Sequence, residues 1–192
     1  MVTPLGKGRG NAVLLSSTHH VYYPCQVVLL DARGRLVREY WHSGHLNFIQ
    51  SADLDGDGES EFYLAGINNA HHAATVVVLD SRHFSGASQE PEDEDHQLLD
   101  FGGGVERTRI ILPRSCLNRS SDPYNAVATF TATPAEIVVQ TVEEIGVGAG
   151  IFHHFSPDLR RRSDVLSDSY QIAYRQAERQ GRLRGCSEQD TN

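Results

Sequence analysis

The chain is short of the residues that would place it in several large classes. Its three cysteines, Cys25, Cys116 and Cys186, are too few and too scattered for a disulfide framework or a zinc knuckle. The expectation is three free thiols, two buried and one in a tail, with one disulfide left open as the alternative. No apolar run approaches the ~20 residues of a membrane-spanning helix. The first residues, Met1-Val2-Thr3-Pro4-Leu5-Gly6-Lys7, lack the apolar core of a secretory signal. Basic residues are outnumbered 17 to 25 by acidic ones, and a net charge of -8 argues against a nucleic-acid partner, which needs a basic patch. Phe101-Gly102-Gly103-Gly104 has no Lys-Ser/Thr after it and so is no phosphate loop. Neither Cys25 nor Cys116 sits in a nucleophile signature, and Ser115 has no elbow motif around it. Hydrolase chemistry therefore has no local support.

What remains is an ordinary globular composition, 39% apolar and 22% charged over 192 residues, enough for one well-buried domain. Short apolar runs separated by polar turns predict strands over residues 12–15, 26–30, 35–41, 46–52, 62–67 and 75–80. The β-branched run Thr75-Val76-Val77-Val78 is the clearest of them. A repeat is also visible. Residues 12–31 and 61–80 superpose without a gap at an offset of 49, with Leu15 on Leu64, Val28 on Val77 and Asp31 on Asp80. Both end in Asp-x-Arg. A period near 50 with several strands per unit suits propeller blades.

Between the strands at 46–52 and 62–67 lies Asp53-Leu54-Asp55-Gly56-Asp57-Gly58-Glu59-Ser60-Glu61. Carboxylates stand at relative positions 1, 3, 5, 7 and 9, and Gly58 is at position 6. Alternate oxygens around a tight turn suit a hard cation such as Ca²⁺, which takes six to eight oxygen ligands at roughly 2.3–2.6 Å. Without a cation the five acids would repel one another. The expected ligands are Asp53, Asp55, Asp57, Glu59 and Glu61, with Glu59 acting through its backbone carbonyl. Position 12, where an EF-hand needs a bidentate Glu, is Leu64, so Glu61 is the natural closing ligand.

Asp-x-Asp-Gly-Asp-Gly-x-x-Glu running into an apolar strand resembles the calcium loop of FG-GAP/VCBS-type repeats, which build β-propellers in integrin alpha chains and many bacterial surface proteins. The likeness covers roughly residues 46–80. It implies that the ion staples the turn between two strands and that blade rims or faces carry recognition. The first repeat copy has its counterpart loop at residues 4–12, with Gly6, Gly8 and Gly10 but no acid, and should be metal-free. The chain begins inside this loop, and the expectation is that it is the C-terminal part of a longer protein.

The second half predicts a strand over 108–112, a hairpin of 126–132 with 135–143 around Thr133-Pro134, and a strand over 150–155 with a turn at Ser156-Pro157-Asp158. Residues 136–158 echo the repeat a third time. Tyr170, Ala173, Tyr174 and Ala177 form one helical face, so 168–180 is read as a helix packed on the sheets. Asp168 with Gln171 fits a capping box and Gly181 a stop. Residues 1–183 form a single domain. Residues 184–192 are expected to be a disordered tail, and the acidic stretch 90–95 a solvated loop.

Histidines are the best case for catalysis, at His19-His20, His42, His45, His71-His72 and His153-His154. Neighbours on a strand face opposite ways, so a zinc or copper centre would need one histidine from each of several loops. The favoured fold is all-β, with repeated antiparallel sheets resembling part of a propeller and one C-terminal helix. The favoured function is a non-catalytic, Ca²⁺-stabilised binding or structural module in an extracytoplasmic setting, with a protein or carbohydrate ligand. A metal-dependent enzyme with a histidine-lined rim and a sensor domain of a signalling protein are the alternatives.

Overall fold

The computed structural model describes residues 1–18, 24–88, 105–112, 114–117, 124–144 and 148–183. Three sheets and one helix make up the described residues. The first sheet is β1 (Val2–Pro4), β2 (Asn11–Ser17), β3 (Cys25–Leu30) and β4 (Leu36–His42), hydrogen-bonded in that order. The second takes β5 (Gly44–Ala52), β6 (Glu61–Asn68), β7 (Ala73–Asp80) and β9 (Thr108–Leu112). The two-residue β8 (Gly86–Ala87) returns to pair in parallel with β4. The third sheet is β10 (Ala126–Ala132), β11 (Ile137–Glu144), β12 (Ala149–Phe155) and β13 (Arg161–Leu166). All other pairings are antiparallel, so each sheet is an up-and-down meander.

The second sheet is buried on both faces, which is why β6 and β7 read as nearly unbroken apolar runs. Phe62, Leu64, Val77 and Leu79 face the first sheet and pack with Leu14, Val27, Leu29 and Tyr40. Tyr63, Val76 and Val78 face the third and pack with Phe130, Ile137 and Val139. Each fully buried side chain of this size contributes roughly 1.5–3 kcal/mol. The repeat seen in sequence is a repeat of register. Val13 pairs with Leu30 and Leu15 with Val28 in the first sheet; Phe62 pairs with Leu79 and Leu64 with Val77 in the second, each 49 residues on. The third sheet repeats the meander but not the register, because a bulge interrupts β11 between Val142 and Glu144.

The helix α1 (Asp168–Arg179) covers the third sheet, its Tyr170, Ala173 and Ala177 packing on Ala149 and Ile151. Its cap corrects the expected capping box: Ser167, not Asp168, is the N-cap and accepts from the Tyr170 amide at 3.1 Å. A serine there caps an amide donor and contributes about 1 kcal/mol. Gly181, at φ +65, ends the helix as expected, with amides 181 and 182 returning to Glu178 and Ala177.

Three strands lack a sequence signal. β1 and β8 are three and two residues long. β13 is an edge strand carrying Arg161, Arg162 and Asp164, with no fully buried residue. Charge on an edge discourages further pairing and hides the strand from a hydrophobicity reading. The expectation of three free thiols is corrected as well: Cys116 is disulfide-bonded, while Cys25 is free and buried. Cys186, His19-His20 and the stretches 90–95, 101–104, 118–122 and 184–192 lie outside the described residues.

Candidate metal centre

β5 delivers the chain to the acidic loop and β6 takes it away, with Ala52 paired to Glu61 across the neck. Inside that neck the loop coils on its own carboxylates. Asp53 accepts the amides of Gly56 and Gly58 at 2.7 and 2.8 Å, Asp55 that of Asp57 at 3.1 Å, and Asp57 that of Glu59 at 2.8 Å. Gly56 and Gly58 adopt φ of +77 and +83, which permits the coil.

Carboxylate oxygens of Asp53, Asp55 and Glu61 lie within 4.8 Å of one another. Asp53 and Asp55 are exposed, whereas Glu61 is fully buried at the floor. Neither oxygen of Glu61 has a well-aligned hydrogen bond, although the Leu54 backbone and Arg107 both act on the carboxylate. Arg107 Nη1 stands 2.7 Å from its Oε1 but outside hydrogen-bonding alignment, so it supplies charge without satisfying the oxygen. Burial pushes the Glu61 carboxyl above the usual range, Arg107 pulls it back, and the Asp55 charge raises it again. Asp55 is held low, chiefly by the Arg107 guanidinium at 2.7 Å.

The other two expected ligands face arginines. Asp57 is 3.3 Å from Arg82, which also holds Asp80 at 2.7 Å. The Glu59 side chain is buried and paired with Arg9. Its expected ligand atom is the carbonyl, so that pairing takes nothing from the expected set. With Asp80, six carboxylates thus meet three guanidiniums, and the larger share of the deficit falls at Asp53, Asp55 and Glu61, which have Arg107 alone. The sequence reading has no place for Arg9 or Arg107, which no local pattern marks. Arg82 had a signal, the Asp-x-Arg shared by both repeat copies.

The donor set is all oxygen and all carboxylate, which suits a hard cation such as Ca²⁺ rather than zinc or copper. Three carboxylates leave positions for carbonyls and water around an ion of six to eight ligands. Among the described residues this is the one grouping of three or more potential metal ligands, and it contains no histidine. His71 and His72 lie in the β6–β7 turn, with His72 against Tyr124. His42 is buried at the end of β4, and burial lowers its pKa to about 3. His153 and His154 point to opposite faces of β12, the first to Asp164 at 3.1 Å and Thr141, the second to Glu136 at 3.0 Å.

Beside the loop lies a cleft of about 630 Å³ between the second and third sheets. Asp55, Tyr63 and Arg107 line one wall, and Asp158 and Arg162 from the β12–β13 side line the other. A scan against protein-family models finds no match, and neither does a comparison with curated proteins.

Proposed function

We propose that the chain is a non-catalytic, Ca²⁺-stapled module of the FG-GAP/VCBS type, whose three sheets are arranged as successive blades of a propeller-like array. The observation that carries the calcium reading is Glu61. A fully buried carboxylate whose one counter-ion, Arg107, is shared with Asp55 and poorly aligned is costly, and it faces two further carboxylates within 4.8 Å. A divalent cation at that point offsets the repulsion and ligates carboxylate oxygens that one shared guanidinium does not neutralise. The blade reading is supported by the common register of the first two sheets. It is also supported by the outer face of the first sheet, where Val13 and Leu15 occupy the positions that Phe62 and Leu64 use in the second sheet to pack on its neighbour. The disulfide at Cys116 favours an extracytoplasmic compartment, where disulfides persist, and where millimolar calcium fills weak sites. A protein or carbohydrate ligand is the partner class that such a module would present.

The test is thermal unfolding with excess calcium and with excess chelator. Calcium at a hundredfold excess over Kd stabilises by about 2.7 kcal/mol if it binds only the folded state. Glu61→Gln should abolish that response, and so should Asp55→Ala. A melting curve that ignores both calcium and chelator would remove the metal from the function.

A further inference from the structure

Arg107 occupies an unusual position. Its amide donates to the Val78 carbonyl at 2.9 Å, which ties the residue to the entry of β9. From there its guanidinium bridges two of the three clustered carboxylates, Asp55 and Glu61, each at 2.7 Å. The same side chain lines the cleft, which Arg162 faces from the third sheet. A divalent ion ligated by Asp55 and Glu61 would claim the oxygens that the guanidinium now holds, at a distance where two positive charges repel.

We propose that Arg107 is the resident counter-ion of this site, that a divalent cation displaces its guanidinium toward the cleft, and that the cleft then binds a small organic carboxylate. This rests on the calcium reading above. The charge of the region decides the direction. Without the ion, the three clustered acids and Asp158 across the cleft stand against Arg107, Arg160 and Arg162, leaving one excess negative charge, with Arg160 and Arg162 both acting on Asp158. A divalent ion turns that excess to one positive charge and frees a planar, bidentate donor suited to a carboxylate. The cleft has the volume of a small-molecule site. Its walls include Leu54, Ile110 and Leu159, which suit a carbon skeleton rather than an inorganic anion. Ion and acid therefore bind with positive coupling, and by linkage each strengthens the other.

Calcium titration by calorimetry tests the first step. Arg107→Gln should bind calcium about fivefold tighter or better, the lower end of coupling between linked sites, while Arg82→Gln changes affinity less. Equal or weaker binding by Arg107→Gln would overturn the inference and leave the calcium reading standing. No calcium binding by either wild type or variant would instead remove the calcium reading. The second step is read by NMR on the wild-type chain, so it survives a variant that fails to fold. The Arg107 Nε–Hε resonance should move on adding calcium, and succinate should then bind about fivefold tighter than in chelator. Arg162→Gln should weaken succinate while changing calcium affinity, measured without succinate, less than Arg107→Gln does. Succinate affinity indifferent to calcium, or an Arg107 resonance that calcium leaves in place, would overturn the proposal.

Discussion

Two loops of this protein occupy the same place in two sheets and are held by opposite means. Residues 4–12 enter β2 and residues 53–61 enter β6, 49 positions apart. Where the second loop has acids at 55, 57 and 59, the first has Gly6, Gly8 and Gly10, all with positive φ. In the first loop glycine makes the turns without acidic side chains to neutralise. The loops also nest. Gly6 bridges Glu59, the Lys7 amide donates to the Gly58 carbonyl at 3.2 Å, Ser60 donates to the Pro4 carbonyl at 2.8 Å, and Arg9 pairs with Glu59. The first loop lends the second the positive charge of Arg9, and hydrogen bonds run between the two in both directions.

The largest way to break this relation is Gly6→Ala. A Cβ there would collide with the Gly58 backbone, on a residue already at φ +83. Left-handed strain and overpacking together should cost about 3 kcal/mol or more by urea denaturation. Next comes the ion. Elemental analysis of calcium-equilibrated protein should give about one ion per chain, worth about 2.7 kcal/mol at hundredfold excess over Kd. A value near two would mean that the loops are not as different as their acids suggest, or that residues 90–95 hold a second ion.

The repeat's shared corner gives a smaller contrast. Asp80 accepts from the Arg82 amide and guanidinium and is pulled to about 2, chiefly by that guanidinium. Its carboxylate is more ionised folded than unfolded, so the stabilisation is present above pH 3.8 and is lost as pH falls through about 2. Asp80→Asn should remove roughly 1–2 kcal/mol at neutral pH and flatten acid unfolding across that window. Asp31, its counterpart, is also lowered, chiefly by the Arg35 amide, but is more exposed, so Asp31→Asn should do less. Equal losses would show that burial does not separate the two corners. The smallest effect belongs to Gly8→Ala, at φ +74 with open space around it, which should cost about 1 kcal/mol. If it equalled Gly6→Ala, the nesting of the loops would have no energetic meaning.

Much of the fold was legible because the signals are local. Thr75-Val76-Val77-Val78 can be little but a strand, and Tyr170, Ala173 and Ala177 mark a helical face that is the one buried. β13 was not legible, since an edge strand has no apolar period to show. The N-cap was missed by one residue because Ser167 and Asp168 are both good caps, and only backbone geometry selects between them. Of the five acids, sequence spacing could not say which would converge.

By itself the sequence determined the strand pairs, the offset of 49 and the presence of an acid-rich turn, because side-chain period and turn chemistry are set over a few residues. Only the tertiary structure decided that Asp53, Asp55 and Glu61 share one point while Asp57 and Glu59 turn to Arg82 and Arg9. Those arginines come from 50 residues before Glu59 and 25 after Asp57, and Arg107 from 52 after Asp55. Charges so far apart in the chain meet because β7 and β9 join β5 and β6 in one sheet and the first sheet's loop nests against it, and that packing buries Glu61 beside a guanidinium it shares with Asp55.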